Sequence, residues 1–355
     1  AIVPLLRCTL MAFISRQLMV NVMYLIYLTC SLLTRVALLL CALITLSACT
    51  STKIEKATPE TQSSDVIINI VGDVHGESAV DQKAILGLKR YFADGDLNIF
   101  NLETAITEEV KKEEKQYNFK TDASFLKTLQ SIGFNVATIA NNHSYDFGEK
   151  GFLDTLNALD KTKISYVGGG VNRDIAYQGQ VYKVKGLKIG VLGIAKVNGG
   201  PLSIATKDKA GTTNGYDAIS TERAITELRK VSDIVILLPH WGEEGSFCPR
   251  SSEIASAKKW QSLGADIIVG SHTHTLQEVE LKENKLIAYS MGNFIFYSSQ
   301  LENRTTGILK IRISPNKRIS YGLQPFVIDN LTKVPVITDV ASNYVCDDQA
   351  NTTVR

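Results

Sequence analysis

The chain has 355 residues, too many for a peptide hormone or a small stapled domain and suited to one large α/β domain or two modest ones. Hydrophobic residues make up 45% and charged residues 21%, an ordinary globular balance that excludes global disorder. Lys+Arg 38 against Asp+Glu 36 gives +2, without the basic excess or basic stripe of a generic nucleic-acid binder. The charge is unevenly placed. Residues 1–48 hold three charges, Arg7, Arg16 and Arg35, so the remainder carries 35 basic and 36 acidic groups, or −1.

Residues 18–48 are nearly all apolar, broken by Asn21 and Arg35. Arg35, a short apolar run and small residues describe an export signal. The ending Leu46-Ser47-Ala48-Cys49 resembles the lipobox of bacterial lipoprotein signals, in which the Cys, here Cys49, becomes a lipid-carrying N-terminus. A retained transmembrane helix over 18–48 is the competing reading; Arg35 in its middle counts against it. Both put the folded part outside the cytoplasm, at a membrane. Residues 49–64, polar with Pro59 and several Ser/Thr, read as a flexible tether. Cys248 and Cys346 lie in the domain with no CxxC; a disulfide and two free buried thiols both fit.

From Asp65 short β-rich runs alternate with helical stretches. Strands are expected over 66–71, 97–102, 136–140, 181–184, 187–194, 234–238 and 267–270, with a hairpin turn at Lys185-Gly186. Helices are expected over 81–92, 124–132, 149–159, 221–231 and 253–263. Glu108–Lys115 (EEVKKEEK) reads as a solvated loop or helix end. After 270 the character changes: 276–281, 286–290, 294–297, 308–313 and 319–327 read as strands without intervening helices. The pattern implies a layered α/β or α+β domain with mixed sheets. The expected organisation is 1–48 signal or membrane segment, 49–64 tether, 65–313 domain and 314–355 C-terminal β extension.

All five histidines, His75, His143, His240, His272 and His274, stand at the ends of expected strands beside Asp, Asn, Gly or another His. Such ends are where open α/β sheets gather ligands. Asp73-x-His75 faces a carboxylate and an imidazole to one side of an extended chain, and His272-x-His274 does the same with two imidazoles. Glu103 ends the second strand. Asn142 offers a neutral oxygen, and His143 beside it is a candidate proton donor. Two carboxylates, an amide and imidazoles at strand ends suit a two-metal centre, and the mixed N/O set suits Mn, Fe or Zn over Ca or Mg.

The ordered motifs GDVHG, NLETAIT, IANNHSYDFG, LPHWGEE, VGSHTHTLQ and YSMGNFIF, spread over about residues 65–300, resemble the capsule-synthesis family called CapA, or poly-γ-glutamate capsule proteins, within the calcineurin-like metallophosphatase superfamily. The resemblance implies a four-layer fold of mixed β-sheets flanked by helices. It implies Asp73, His75 and His274 as first-metal ligands, and Asn142, His240 and His272 as second-metal ligands. Glu103 stands where most of the superfamily has a bridging Asp. His143 matches the catalytic histidine, Asp146 the acid that orients it, and Asn293 lies in YSMGNF as structural support.

The function so implied is that of a lipid-anchored protein of the cell envelope, at the outer membrane or periplasmic face. It would carry two divalent transition-metal ions and a hydrolase site, phosphoesterase in type, and serve capsule synthesis. A non-catalytic polymer-binding lipoprotein and a metal-dependent amide hydrolase are the alternatives. The implied partners are an anionic surface polymer or phosphoester substrate, the membrane and capsule synthesis proteins, with no nucleic acid.

Overall fold

The computed structural model describes residues 64–76, 80–339, 344–346 and 352–354. The apolar leader, Cys49 and all of the tether but Ser64 lie outside them. No helix among the described residues is long and apolar enough to cross a membrane.

Two mixed sheets, of eight and six strands, supply the frame. The first is built around β1 (Val66–Val74), buried at all nine positions. Alternation explains how one strand serves two layers. Val66, Ile68 and Ile70 join the core shared with the second sheet; Val71 faces the helices, and so does Val74, because a register shift after Ile70 reverses the alternation. Strands β2 (Leu97–Leu102), β3 (Val136–Thr138) and β4 (Ser165–Val167) follow in parallel on one side. Their outer face is covered by α1 (Gln82–Leu86), α2 (Lys89–Phe92), α3 (Ala123–Ser131) and α4 (Gly148–Thr162). There Phe92, Phe125, Leu129, Phe152 and Leu156 pack with Phe100 and Leu102. The single helix expected over 81–92 is two pieces. Asp81 caps the first through its side chain and Gly87 ends it, glycine being a poor helix former.

The second sheet comprises β5 (Gln180–Val184), β6 (Leu187–Ala195), β7 (Ile234–His240), β8 (Ile267–Val269), β9 (Val279–Lys282) and β10 (Lys285–Ala288). Its order is β9-β10-β8-β7-β6-β5. Ile234, Ile236 and Leu238 of β7 face the first sheet. Val235 and Leu237 face α5 (Ala218–Val231) and α6 (Ser251–Ser262), meeting Ile225, Leu228 and Trp260. The expected hairpin joins β5 to β6, with positive φ at both Lys185 (46°) and Gly186 (86°), as a tight two-residue turn requires.

The all-β run after 270 divides between the sheets. β9 and β10 complete the second. β11 (Asn293–Ile295), β12 (Thr305–Ile313), β13 (Ile319–Ile328) and β14 (Pro335–Ile337) return to the first, whose order is β14-β13-β12-β1-β2-β3-β4 with β11 also on β1. The result is four layers, helix–sheet–sheet–helix, the architecture the resemblance implies. Cys248 and Cys346 are joined as a disulfide across 98 residues, which decides between the two readings of that pair.

The seam between β1 and the β11 approach leaves no room for a side chain. A Cβ on Gly72 would lie 1.8 Å from the Gly292 carbonyl oxygen, which accepts the Asp73 amide at 2.9 Å. Gly292 itself holds φ +61°, a region that favours glycine. We therefore expect Gly72→Ala to cost about 1–3 kcal/mol or more, since backbone must move. Urea unfolding of the two proteins would show it as a lower midpoint with an unchanged slope.

Candidate metal centre

The parallel strands β1, β2 and β3 end on one edge of the first sheet, and β7 and β8 end on one edge of the second. Side chains from these ends meet. Asp73, paired in register with Asn101 of β2 and Asn293 of β11, is fully buried, as is Glu103. The Asn101 amide donates to both carboxylates, at 2.8 Å to Asp73 Oδ1 and 3.2 Å to Glu103 Oε2. Its own oxygen accepts from Asn141 Nδ2 at 2.9 Å. Asn141 Oδ1 in turn accepts from the His143 amide at 3.0 Å and from Ser144 Oγ at 2.9 Å. This chain fixes the turn after β3, which carries Asn142 and His143.

Asn142 Oδ1 lies 2.8 Å from His240 Nε2, and the other ring nitrogen of His240 lies 2.9 Å from Ser271 Oγ. Glu103 Oε1 lies 3.8 Å from His240 Nε2 and 4.0 Å from His143 Nε2. His143 Nδ1 meets Asp146 Oδ2 at 2.8 Å. His274 Nδ1 sits 3.2 Å from Asp73 Oδ2 and 2.7 Å from Asn293 Oδ1. The turn after β8 presents its two imidazoles through strained backbone, with φ of 95° at His272 and 58° at His274. Non-glycine residues hold such angles only where the surroundings impose them, and they gather at ligand sites.

Burial sets the protonation of the cluster. It pushes His240 far down, aided by the neighbouring His272. His272 falls to about 4 through burial and the charge of His274, and His75 to about 3 through burial and the charges of His143 and His274. For His143 burial outweighs the hydrogen bond it donates to Asp146, so it too is lowered. Burial opposes charge on His274 as well, but its hydrogen bond and attraction to Asp73 win and raise it. Burial likewise opposes ionisation of Asp73, but His274 overcomes it and holds the carboxyl low. Burial and the charge of Asp73 together push Glu103 well up. The lowered imidazoles of His240 and His272 are neutral, each with a ring lone pair, the form that binds metal. A bound cation would draw Glu103 back to carboxylate.

The donor set fits metal ions. Ligand atoms of Glu103, His240 and His272 lie within 4.8 Å of one another, and so do those of Asp73, Glu103 and His274. Glu103 belongs to both triads. Its Oε1 and His272 Nδ1 are buried without a hydrogen-bond partner, a costly state that a cation would relieve. His75 belongs to neither triad. Its Nε2 accepts the Tyr297 amide at 3.0 Å, its Nδ1 is buried without a partner, and its ring packs 4.1 Å from Phe296 and 4.9 Å from Phe119.

Several contributors escaped sequence reasoning. Asn101 was visible only as a polar residue inside an apolar strand. Asn141 lies in the IANNH motif beside the candidate residues Asn142 and His143. Lys115, inside the charged run, donates to the Asn142 carbonyl at 2.8 Å and pairs with Asp146. Phe119 packs 4.2 Å from the His143 ring. Nothing in the local sequence marks these last two.

Asn293 Nδ2 donates to the Asn303 carbonyl at 2.9 Å, so its oxygen must face His274. That contact holds the proton on Nδ1 and leaves Nε2 as the donor toward a metal. Partners of this kind typically contribute 10–100-fold in metal affinity. Asn293→Ala should weaken divalent-metal binding by about 10–100-fold with unaltered circular dichroism, as read by calorimetric titration of the metal-stripped protein.

Residues 56–298 match the family described as bacterial capsule synthesis protein PGA_cap. The chain is 30% identical over 303 residues to the PGA biosynthesis protein CapA of Bacillus subtilis, covering 81% of this chain and 78% of that one. It is 30% identical over 268 residues to the capsule biosynthesis protein CapA of Bacillus anthracis, covering 72% of this chain and 64% of that one. Among solved structures it is similar to the NAD nucleotidase of Haemophilus influenzae, with a TM-score of 0.46 and 13% identity over 82% of this chain and 60% of that one. It is also similar to a 5'-nucleotidase of Candida albicans, with a TM-score of 0.45 and 11% identity over 76% of this chain and 53% of that one. The chain belongs to the bacterial capsule synthesis protein family.

Proposed function

We propose that this member of the bacterial capsule synthesis family is a metal-dependent phosphoesterase of the cell envelope, serving capsule synthesis. The observation that carries the reading is the pair of triads sharing buried Glu103, whose Oε1 has no partner. Asp73, Glu103 and His274 would hold one divalent ion; Glu103, Asn142, His240 and His272 would hold the other, with Mn, Fe or Zn suiting the mixed donors. His75 stands beside the first. Such a pair of ions supplies an activated water and charge stabilisation for phosphoryl transfer.

The chain's own residues do the rest. Water adds to phosphorus, the ester P–O bond breaks, and the departing oxygen takes a proton from His143 Nε2. Asp146 on Nδ1 holds that ring in orientation and favours its protonated form. The site's burial excludes bulk water and strengthens each of these interactions.

The names of the relatives support a place in the capsule machinery, and the lipobox ending at Cys49 supports a lipid anchor at the cell surface. An anionic surface polymer and other capsule synthesis proteins are the partners that follow. One observation favours a non-catalytic polymer-binding role instead: His75 lies outside both triads with Nε2 occupied by the Tyr297 amide. A metal-dependent amide hydrolase would use the same centre.

Two measurements separate these readings. The full chain, purified in detergent without chelators, should carry close to two Mn, Fe or Zn by elemental mass spectrometry, with less in His272→Ala. Chain that takes up no Mn²⁺ or Zn²⁺ on reconstitution would overturn the metal centre. His143→Ala should keep its metal and lose about 10²–10⁴ of the turnover of p-nitrophenyl phosphate. Undiminished turnover in that variant would remove His143 from the mechanism. Hydrolysis of γ-glutamyl amides in place of phosphoesters would select the amide reading.

A further inference from the structure

The charged segment between β2 and α3 is part of the site. It is a largely exposed loop, as its composition implies, and it is also fastened to Asp146. The Glu113 amide donates to the Asp146 carbonyl at 2.9 Å, and the Phe119 amide donates to Asp146 Oδ2 at 2.6 Å. Lys115 pairs with the same carboxylate and donates to the Asn142 carbonyl at 2.8 Å. A segment tied to the acid that orients His143 cannot shift without disturbing that ring.

What the segment delivers is aromatic. Phe119 lies against His143, with centroids 4.2 Å apart and planes 30° apart. Phe296 closes the other side edge-on at 6.1 Å and 86°. Two residues before Phe119 stands Tyr117, with centroids 6.5 Å apart and planes only 23° apart. That spacing is the two-residue repeat of an extended chain. Tyr117 is 61% exposed, and its hydroxyl meets only the neighbouring Gln116 amide at 3.1 Å. Three successive rings, His143, Phe119 and Tyr117, thus step from the buried centre to solvent.

We propose that this ladder is a subsite for a planar ring on the leaving group of the substrate, so that the enzyme prefers aryl or heteroaryl phosphoesters over small alkyl ones. The inference rests on the phosphoesterase reading. In an in-line displacement the leaving oxygen lies opposite the attacking water. His143 is the group that protonates that oxygen. Whatever hangs from the oxygen therefore meets the ring next to His143, which is Phe119, and a planar group extending outward meets Tyr117. Offset stacking at centroid distances of 4.5–7 Å is the arrangement aromatic pairs prefer, and Tyr117, exposed at the outer end, presents a ring for it.

The test is direct binding, so it does not depend on turnover. The manganese-loaded full chain is titrated calorimetrically with phenylphosphonate and with methylphosphonate, neither of which has an ester bond to cut. The wild type should bind the phenyl compound about tenfold tighter, and Tyr117→Ala and Phe119→Leu should each reduce that preference to about twofold. Equal binding of the two by the wild type would overturn the subsite and leave the metal centre standing. A preference that survives both substitutions would place the selectivity elsewhere and overturn it as well. If neither compound binds to chain shown to hold its metal, the phosphoryl reading fails, and the subsite with it.

Discussion

Two buried carboxylates, Asp73 and Glu103, share one amide, that of Asn101. Much of the molecule is arranged around the cost of that placement. Unpaired charge in a low-dielectric seam is severely penalised, so the first carboxyl is stabilised by His274 and the second is driven toward its neutral form. Asn101 can donate to both because it lies in register with Asp73 on the adjacent parallel strand. It is held in turn by Asn141 from the next strand end. A relay from Asn101 through Asn141 thus begins in ordinary strand pairing and ends at the backbone of His143.

The same seam explains why the four-layer stack matters. Neither sheet alone owns the site. The first brings both carboxylates, Asn142 and His143; the second brings His240, His272 and His274. They are brought together by the branched aliphatic core between the sheets, in which Ile68, Ile70, Ile236 and Leu238 are buried. Packing at native density transmits position faithfully, so ligands separated by 199 residues, such as Asp73 and the His272 amide, still meet within 3.4 Å.

Most of this frame was readable from residue order. The strand over 97–102 and the turn at Lys185-Gly186 fall where alternation and turn chemistry put them. The five histidines stood out because each followed an apolar run. What could not be read was which strand joins which sheet. Periodicity says that Ile308–Ile313 is buried, but its antiparallel pairing with β1 is a long-range choice with no local signature. The charged segment is the solvated loop its composition implies, yet its inward contacts have no local signature for a related reason. Its charges are mostly solvated, and only Lys115 and the amides of Glu113 and Phe119 turn inward, a distinction that composition cannot make. His75 matches the pattern by residue type; its Nε2 accepts the Tyr297 amide while its Nδ1 is buried without a partner.

The place of β1 in the first sheet bears on the order of assembly during synthesis. It pairs with β2 soon after it, yet its other neighbours are β11 and β12, near the far end of the domain. His75 and Tyr297 are 222 residues apart when they bond. The first strand made must therefore wait, with one edge open, for nearly the whole chain. Closing so large a loop is slow, and an unpaired apolar strand edge is prone to aggregate meanwhile. A nascent chain ending before residue 293 has no β11 or β12 to complete the sheet around β1. This topology leaves β1 incompletely paired until the strands from residue 293 onward arrive.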